Sequence, residues 1–251
     1  MHRFHLPPAA CQGATILLDE AEAHHAARVL RLSRGDRAVV LDGAGRELLC
    51  EVTEVARNQI ALAVRQRNTI PPLPYRLTLI QAITKGKSMD LIVQKATELG
   101  VSRIVPVISE RSVTRIEPDE AEWKVEKWRA IAVEAIKQCG SAWLPEIVAP
   151  VTPAAFLAQP KPPAFMLLAS LQPGATHPRE LLRAAREERR RGLDAPAIWI
   201  GPEGDFTPAE LNQIRAAGAL PITLGPLVLR SETAALFCLS FLAYELQAGQ
   251  A

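Results

Sequence analysis

The sequence predicts a two-part α/β protein, a small β-rich block followed by a larger block built on a parallel sheet. Three observations carry that expectation. Before residue 70 the branched apolar residues fall in short runs broken by turn residues. Pro71-Pro72-Leu73-Pro74 then sets three prolines in four residues, which cannot donate to a sheet ladder and favour extended backbone. After Tyr75, strand-length apolar runs alternate with helix-length segments. Runs such as Ala197-Ile198-Trp199-Ile200 are apolar throughout, as when helices cover both faces of a parallel sheet.

In the first block, Asp19-Glu20-Ala21-Glu22 can cap a helix carrying His24 to Arg31. Strands are expected at Arg37 to Leu41, Leu48 to Thr53 and Ile60 to Arg65. Asp42-Gly43-Ala44-Gly45 makes a hairpin turn between the first two, because glycine tolerates positive φ. Short, closely spaced strands with one helix suggest a small barrel. Asn68 to Pro74 reads as a stiff linker, so the domains are placed at 1–70 and 75–251. In the second block the expected strands are Arg76 to Ile83, Arg103 to Ile108, Ala164 to Ala169, Ala197 to Ile200 and Pro221 to Leu224. Helices are expected at Ser88 to Leu99, Glu120 to Gln138, Pro178 to Arg190, Pro208 to Ala217 and Glu232 to Leu246. Ligands of such sheets bind beyond the carboxyl ends of strands, which directs attention to the loops after Ile200 and Leu224.

Composition bounds the function more loosely. Of 251 residues, 48% are hydrophobic and 22% charged, ordinary for a soluble globular protein. The first residues lack the apolar core of a signal peptide, and no run approaches the roughly eighteen apolar residues of a membrane helix. Cys11, Cys50, Cys139 and Cys238 are far apart and read as free thiols in a reducing, cytoplasmic compartment. The five histidines form no metal constellation, so neither a metal nor a membrane partner is expected. A net charge of +2 permits nucleic-acid binding without pointing to it. The cluster Arg183, Arg186, Arg189, Arg190 and Arg191 reads as a solvated helix end.

Two resemblances to nucleotide motifs fail. Lys85-Gly86-Lys87-Ser88 looks like the tail of a phosphate loop, but the position of the required first glycine holds Gln81. Gly43-Ala44-Gly45 begins a dinucleotide fingerprint, but Leu48 stands at the third glycine and the context is a hairpin. Two other segments survive. In Ile198 to Glu210 an apolar strand enters Gly201-Pro202-Glu203-Gly204 and a helix follows at once, with Thr207 as N-cap, Pro208 at the first helical position and Glu210 closing a capping box. In Leu224 to Ala235 a strand again ends in Gly-Pro, with Ser231 as N-cap of the next helix. Arg230 beside that helix N-terminus opposes the helix dipole, so either another group needs it or it is a solvated surface arginine.

The two segments together closely resemble the cofactor loops of the SPOUT methyltransferases, specifically the ribosomal RNA small subunit methyltransferase E family. The likeness extends to Lys85-Gly86 with Met89 to Val101, to Ser109-Glu110-Arg111-Ser112, to Glu134-Ala135 with Gln138-Cys139-Gly140, and to His24-His25, Val29-Leu30-Arg31 and Gly35-Asp36. It implies an α/β fold with a C-terminal SPOUT domain, holding a parallel sheet and a deep trefoil knot, behind an N-terminal PUA-like β-barrel domain. It implies S-adenosyl-L-methionine as cofactor, held by Leu168, Ile200, Gly201, Pro202, Glu203, Gly204, Leu224, Gly225, Leu229, Ser231 and Thr233. It further implies a homodimer acting on 16S rRNA in the small ribosomal subunit and producing 3-methyluridine.

N3 of uridine carries a proton, so attack on a sulfonium methyl needs a base and a cation facing the developing anion. Arg230 is the expected cation, and Glu203 or Glu232 the carboxylate that accepts the proton; either glutamate could instead anchor its loop. Arg28, Arg31 and Arg34, with His25 and Lys85, are the expected RNA contacts. Three positions depart from the family pattern: Asp205 replaces a second glycine, while Leu227 and Ser141 replace arginines. The alternatives are an RNA-binding or assembly protein with a degenerate site, and a related methyltransferase acting on transfer RNA.

Overall fold

In the computed structural model, which describes residues 1–56, 59–112, 118–188 and 193–248, the chain forms two units. The first holds Met1–Pro72 and Val133–Leu144; the second holds Leu73–Ala132 and Pro145–Ala251.

The first unit is built on β1 (His2–His5), β2 (Thr15–Leu18), β3 (Arg37–Leu41), β4 (Arg46–Val55) and β5 (Ile60–Thr69), in the spatial order β1-β3-β4-β5-β2. β1 runs parallel to β3, and the other pairings are antiparallel. Along β4, Leu48, Cys50 and Val52 are buried while their neighbours are partly exposed. This period-two alternation lays one face on a core with Phe4, Ile16, Leu18, Ile60 and Leu62. β1 and β2 escape the sequence pattern. Asn68 and Thr69, expected in the linker, extend β5 instead, because Asn68 Nδ2 finds Glu47 Oε1 across the ladder at 3.0 Å. Asp19 caps α1 (Glu20–His24) by accepting from the Glu22 N–H at 2.9 Å. The continuation His25–Val29 is π-helical rather than α-helical.

Two ionic clusters with buried members brace this unit. The Lys137 ammonium lies 2.8 Å from Glu22 and 2.9 Å from Glu134. Burial opposes its charge, but the carboxylates outweigh that and hold its pKa above the ordinary lysine value. Asp42 sits in the expected β3–β4 turn, where Gly43 and Gly45 take φ of 71° and 95°. Its carboxylate accepts from the N–H groups of Ala44 and Arg46, each at 2.8 Å, and from the Arg46 guanidinium. Burial pushes the Asp42 carboxyl up, but these donors more than reverse it and hold the group below its ordinary value.

The second unit is a six-stranded, wholly parallel sheet: β6 (Thr78–Ala82), β7 (Arg103–Val107), β8 (Glu146–Ile147), β9 (Met166–Ala169), β10 (Ala197–Ile200) and β11 (Leu220–Ile222), in the order β11-β9-β10-β6-β7-β8. The expected helices are α2 (Ser88–Glu98), α3 (Pro118–Cys139), α5 (Pro178–Glu187), α6 (Pro208–Ala216) and α7 (Ser231–Ala248). The short β8 and α4 (Pro153–Leu157) are additions to the expected order. Trp199 is fully buried on β10, with Phe156 and Phe206 edge-on at 5.3 and 6.1 Å. Such pairs add about 0.5–1.5 kcal/mol each beyond their burial. α7 packs on α2 and against β6 and β10. On α5, Arg183 and Arg186 pair with Glu187 and Glu245, consistent with a solvated helix end; Arg189, Arg190 and Arg191 lie outside the described residues. Because the strands are parallel, β9, β10 and β11 all end at one edge.

Asp42 carries a pH prediction. Its folded pKa is depressed, so its stabilisation is complete above the unfolded carboxylate value, about 3.9, and is lost as pH falls through the lower folded value. Asp42→Asn should cost about 2 kcal/mol at neutral pH. The gap from wild type should narrow below about pH 4 in thermal unfolding followed by circular dichroism. A gap independent of pH would refute the ionic role.

Candidate functional site

Three loops at that edge enclose a cavity of about 720 Å³, walled further by Ser88 and by the first turn of α7. The loop after β10 is shaped locally. Asp205 N–H donates to the Pro202 carbonyl at 3.0 Å, closing a turn, and Asp205 takes a left-handed φ of 59°. Aspartate tolerates that region better than most residues, and its Oδ1 accepts from the Phe206 N–H at 2.8 Å. A Cβ on Gly201 would stand 3.1 Å from the same Oδ1, so the turn is packed against a bare backbone. The capping box on α6 forms as expected. Its Glu210 carboxylate is buried and accepts from Thr207 N–H (2.8 Å), Ser109 Oγ (3.0 Å) and Glu110 N–H (3.0 Å).

The loop after β11 turns at Gly225, whose φ of 105° favours glycine strongly, and exposes Leu227 and Val228. The loop after β9 completes the wall with Ser170 to Ala175, joined to β11 by the Ser170 N–H on the Ile222 carbonyl at 3.0 Å.

Side chains then tie loop to loop. Ser231 Oγ donates to the Gly201 carbonyl at 2.7 Å and accepts from Gln81 Nε2 at 3.0 Å. Glu203 Oε1 accepts from the Lys85 N–H at 3.1 Å, and Arg111 Nη1 donates to the Gly204 carbonyl at 3.1 Å. The β10–α6 loop is thus held from three sides. Arg230 lies on the wall and makes no ion pair with a described residue. Burial pushes the Cys50 thiol up to about 11 and raises Cys11 and Cys238 as well, which leaves them poor nucleophiles. A preformed cavity with polar main chain, one cation (Arg230) and three carboxylates (Glu203, Asp205 and Glu232) among its described lining residues suits binding and orienting a small polar cofactor beside a second reactant.

Most expected site residues meet here. Ile200, Gly201, Pro202, Glu203, Leu224, Gly225, Leu229, Arg230, Ser231 and Glu232 line the cavity. Leu168 does not, being fully buried within β9, and neither do Gly204, Thr233 or Lys85. Ser231 does not use its hydroxyl as an N-cap; a tertiary network takes it. Glu203 is engaged as a loop anchor. Arg28, Arg31 and Arg34 are exposed and belong to the first unit, and the His25 side chain lies outside the described residues. Sequence reasoning missed the β9 loop, Ser88, Gln81 and Arg111 as site residues, although Gln172-Pro173-Gly174 after an apolar strand is a turn signal of the kind used elsewhere.

Residues 71–243 match the model of an RNA methyltransferase domain, and residues 18–64 that of an RNA methyltransferase PUA domain. The chain is 32% identical to ribosomal RNA small subunit methyltransferase E of Synechocystis, over 93% of its own length and 74% of the relative's. It is 31% identical to the protein of the same name from Aquifex aeolicus, over 92% and 95%. A crystal structure of that enzyme from Neisseria gonorrhoeae, bound to S-adenosyl methionine, superposes with a TM-score of 0.85 at 29% identity, covering 99% of this chain and 98% of the other. A methyltransferase from Legionella pneumophila in complex with the same cofactor gives 0.85 at 30%, covering 98% and 97%.

Glu210→Ala removes three hydrogen bonds to a buried carboxylate and should lower stability by on the order of 3 kcal/mol. Amide exchange of Phe206 and Thr207 should accelerate with it. Exchange unchanged at both amides would show that Glu210 does not anchor the loop.

Proposed function

The chain belongs to the ribosomal RNA small subunit methyltransferase E family, and from that premise we propose that it methylates N3 of a uridine in 16S rRNA, using S-adenosylmethionine. The observation that carries the reading is the cavity of about 720 Å³ at the joined ends of β9, β10 and β11. Its size lies within the roughly 300–1,000 Å³ of small-molecule sites, and Gly225, where an added Cβ would meet nothing within 4 Å, leaves open backbone for a ligand to approach. Two similar solved structures hold this cofactor.

Gly201, Pro202, Leu224, Gly225, Leu229 and Ser231 are the residues that would hold the methyl donor. When bound, it supplies an electrophilic methyl on sulfonium. The protein must orient the uridine, take the N3 proton and stabilise negative charge spread onto the flanking carbonyl oxygens. Arg230 suits the last of these roles, because its guanidinium is always charged and lines the cavity. Glu232 is half-buried and on the cavity wall, its carboxylate makes no hydrogen bond or ion pair with a described residue, and it is the proton acceptor in this reading. Glu203 anchors the Lys85 loop.

Arg28, Arg31 and Arg34 present three exposed guanidinium groups on the PUA-like unit and are assigned to rRNA phosphates. The small ribosomal subunit is the assigned setting and the cytoplasm the compartment; no helix among the described residues is long and apolar enough to cross a membrane. Phe237, Phe241 and Tyr244 share a face of α7, with Phe237 47% and Tyr244 72% exposed. That face is assigned to a homodimer contact. A trefoil knot is assigned to the second unit, supported by the return of α7 from the sheet edge to pack against β6 and β10.

Calorimetry should show S-adenosylmethionine binding, and nucleoside mass spectrometry should find 3-methyluridine in 16S rRNA treated with the protein. Arg230→Ala should lower kcat at least about 100-fold with little change in cofactor affinity. Absence of binding heat would sink the reading, and wild-type turnover by the variant would remove Arg230 from it. Phe237→Asp with Tyr244→Lys should shift sedimentation towards the monomer; an unchanged dimer would place the interface elsewhere.

A further inference from the structure

We propose that Gln81 is a positioning residue of the methyl-donor site, acting through Ser231; this rests on the function proposed above. Gln81 is fully buried in the middle of the parallel sheet, on a strand otherwise built of Thr78, Leu79, Ile80 and Ala82. Its register partner on β10 is Ile200, the last residue before the cavity loop. An amide in that layer is a costly choice, so its hydrogen bonds show its use.

Both Nε2 protons are committed, one to the Ala82 carbonyl at 2.8 Å and one to Ser231 Oγ at 3.0 Å. The second bond sets a direction. Because Gln81 Nε2 can only donate to Ser231 Oγ and the Gly201 carbonyl can only accept, the Ser231 hydroxyl turns its own proton onto that carbonyl at 2.7 Å. Gly201 opens one cavity loop and Ser231 closes another, so a single directed chain sets the distance between two walls. Meanwhile Gln81 Oε1 is buried with no donor among the described residues. An unsatisfied buried acceptor weakens a fold. The cost of that acceptor offsets the gain from the two donated bonds, so Gln81 adds little net stability and its use lies in the site.

The test pairs binding with unfolding. Gln81→Met keeps the length and apolar bulk, removes both donors and removes the orphaned acceptor. Its thermal midpoint should equal or exceed that of wild type, while the calorimetric Kd and the KM for S-adenosylmethionine rise about tenfold and the KM for rRNA stays unchanged. Ser231→Ala should weaken the cofactor similarly, and the double variant should bind no worse than Ser231→Ala alone, as expected for one chain of contacts. Additive losses, a lowered midpoint, failure of Gln81→Met to fold, or wild-type affinity would each overturn the inference. Wild-type protein that binds no S-adenosylmethionine would overturn the functional reading along with it; wild-type binding with an unaffected Gln81→Met overturns this inference alone.

Discussion

A parallel sheet delivers the carboxyl ends of neighbouring strands to one edge, and there the chain must leave the sheet before it can start a helix. The loops at that edge have no ladder to hold them. Whether they make a pocket depends on what crosses between them. In this protein the crossing contact is the Ser231 hydroxyl on the Gly201 carbonyl, backed by the Gln81 amide. Glu203 on the Lys85 N–H and Arg111 on the Gly204 carbonyl brace the same loop from its other sides. The cavity is a consequence of these few bonds and of glycines that keep Cβ atoms out of the way.

Much of the architecture is legible where two signals agree. Arg37–Leu41 and Ala197–Ile200 emerge residue for residue, since branched or wholly apolar runs meet turn residues at both ends. Thr207 reads correctly as a cap because Glu210 stands three residues on. Ser231 is misread by the same rule. Residue type favours a cap, but Gln81, 150 positions away in sequence, claims its hydroxyl. β1, with two histidines and an arginine in four residues, is a strand only because β3 offers a parallel partner. The site is legible at its two glycine-proline loops and not at the β9 loop, whose place on the cavity wall follows from strand order and leaves no local trace.

The departures from the family pattern are intelligible on the same terms. At Asp205 a side chain occupies a backbone conformation that glycine adopts without penalty, and the carboxylate offsets that strain by accepting from Phe206. Ser141 closes its own turn, accepting from the Trp143 N–H at 3.1 Å and donating to the Trp143 carbonyl at 2.9 Å. Leu227 leaves an exposed apolar side chain beside the cavity, so Arg230 is the one cation among the described lining residues.

That solitary charge explains why loop geometry matters so much. An exposed guanidinium facing water interacts weakly with a developing anion, because solvent screens it. The same group gains strength once a docked base excludes water and the local dielectric falls. Its benefit to the reaction then depends on already standing where the charge will appear, since reorganisation at that moment would consume the advantage. Arg230 directly precedes Ser231, and its carbonyl accepts from the Ala234 N–H at 2.8 Å in the first turn of α7. The bond that sets the width of the cavity therefore also fixes the backbone from which the cation extends. In the proposed reaction, methyl donor and anion stabiliser are placed by one network, so a change at Gln81 is felt at both.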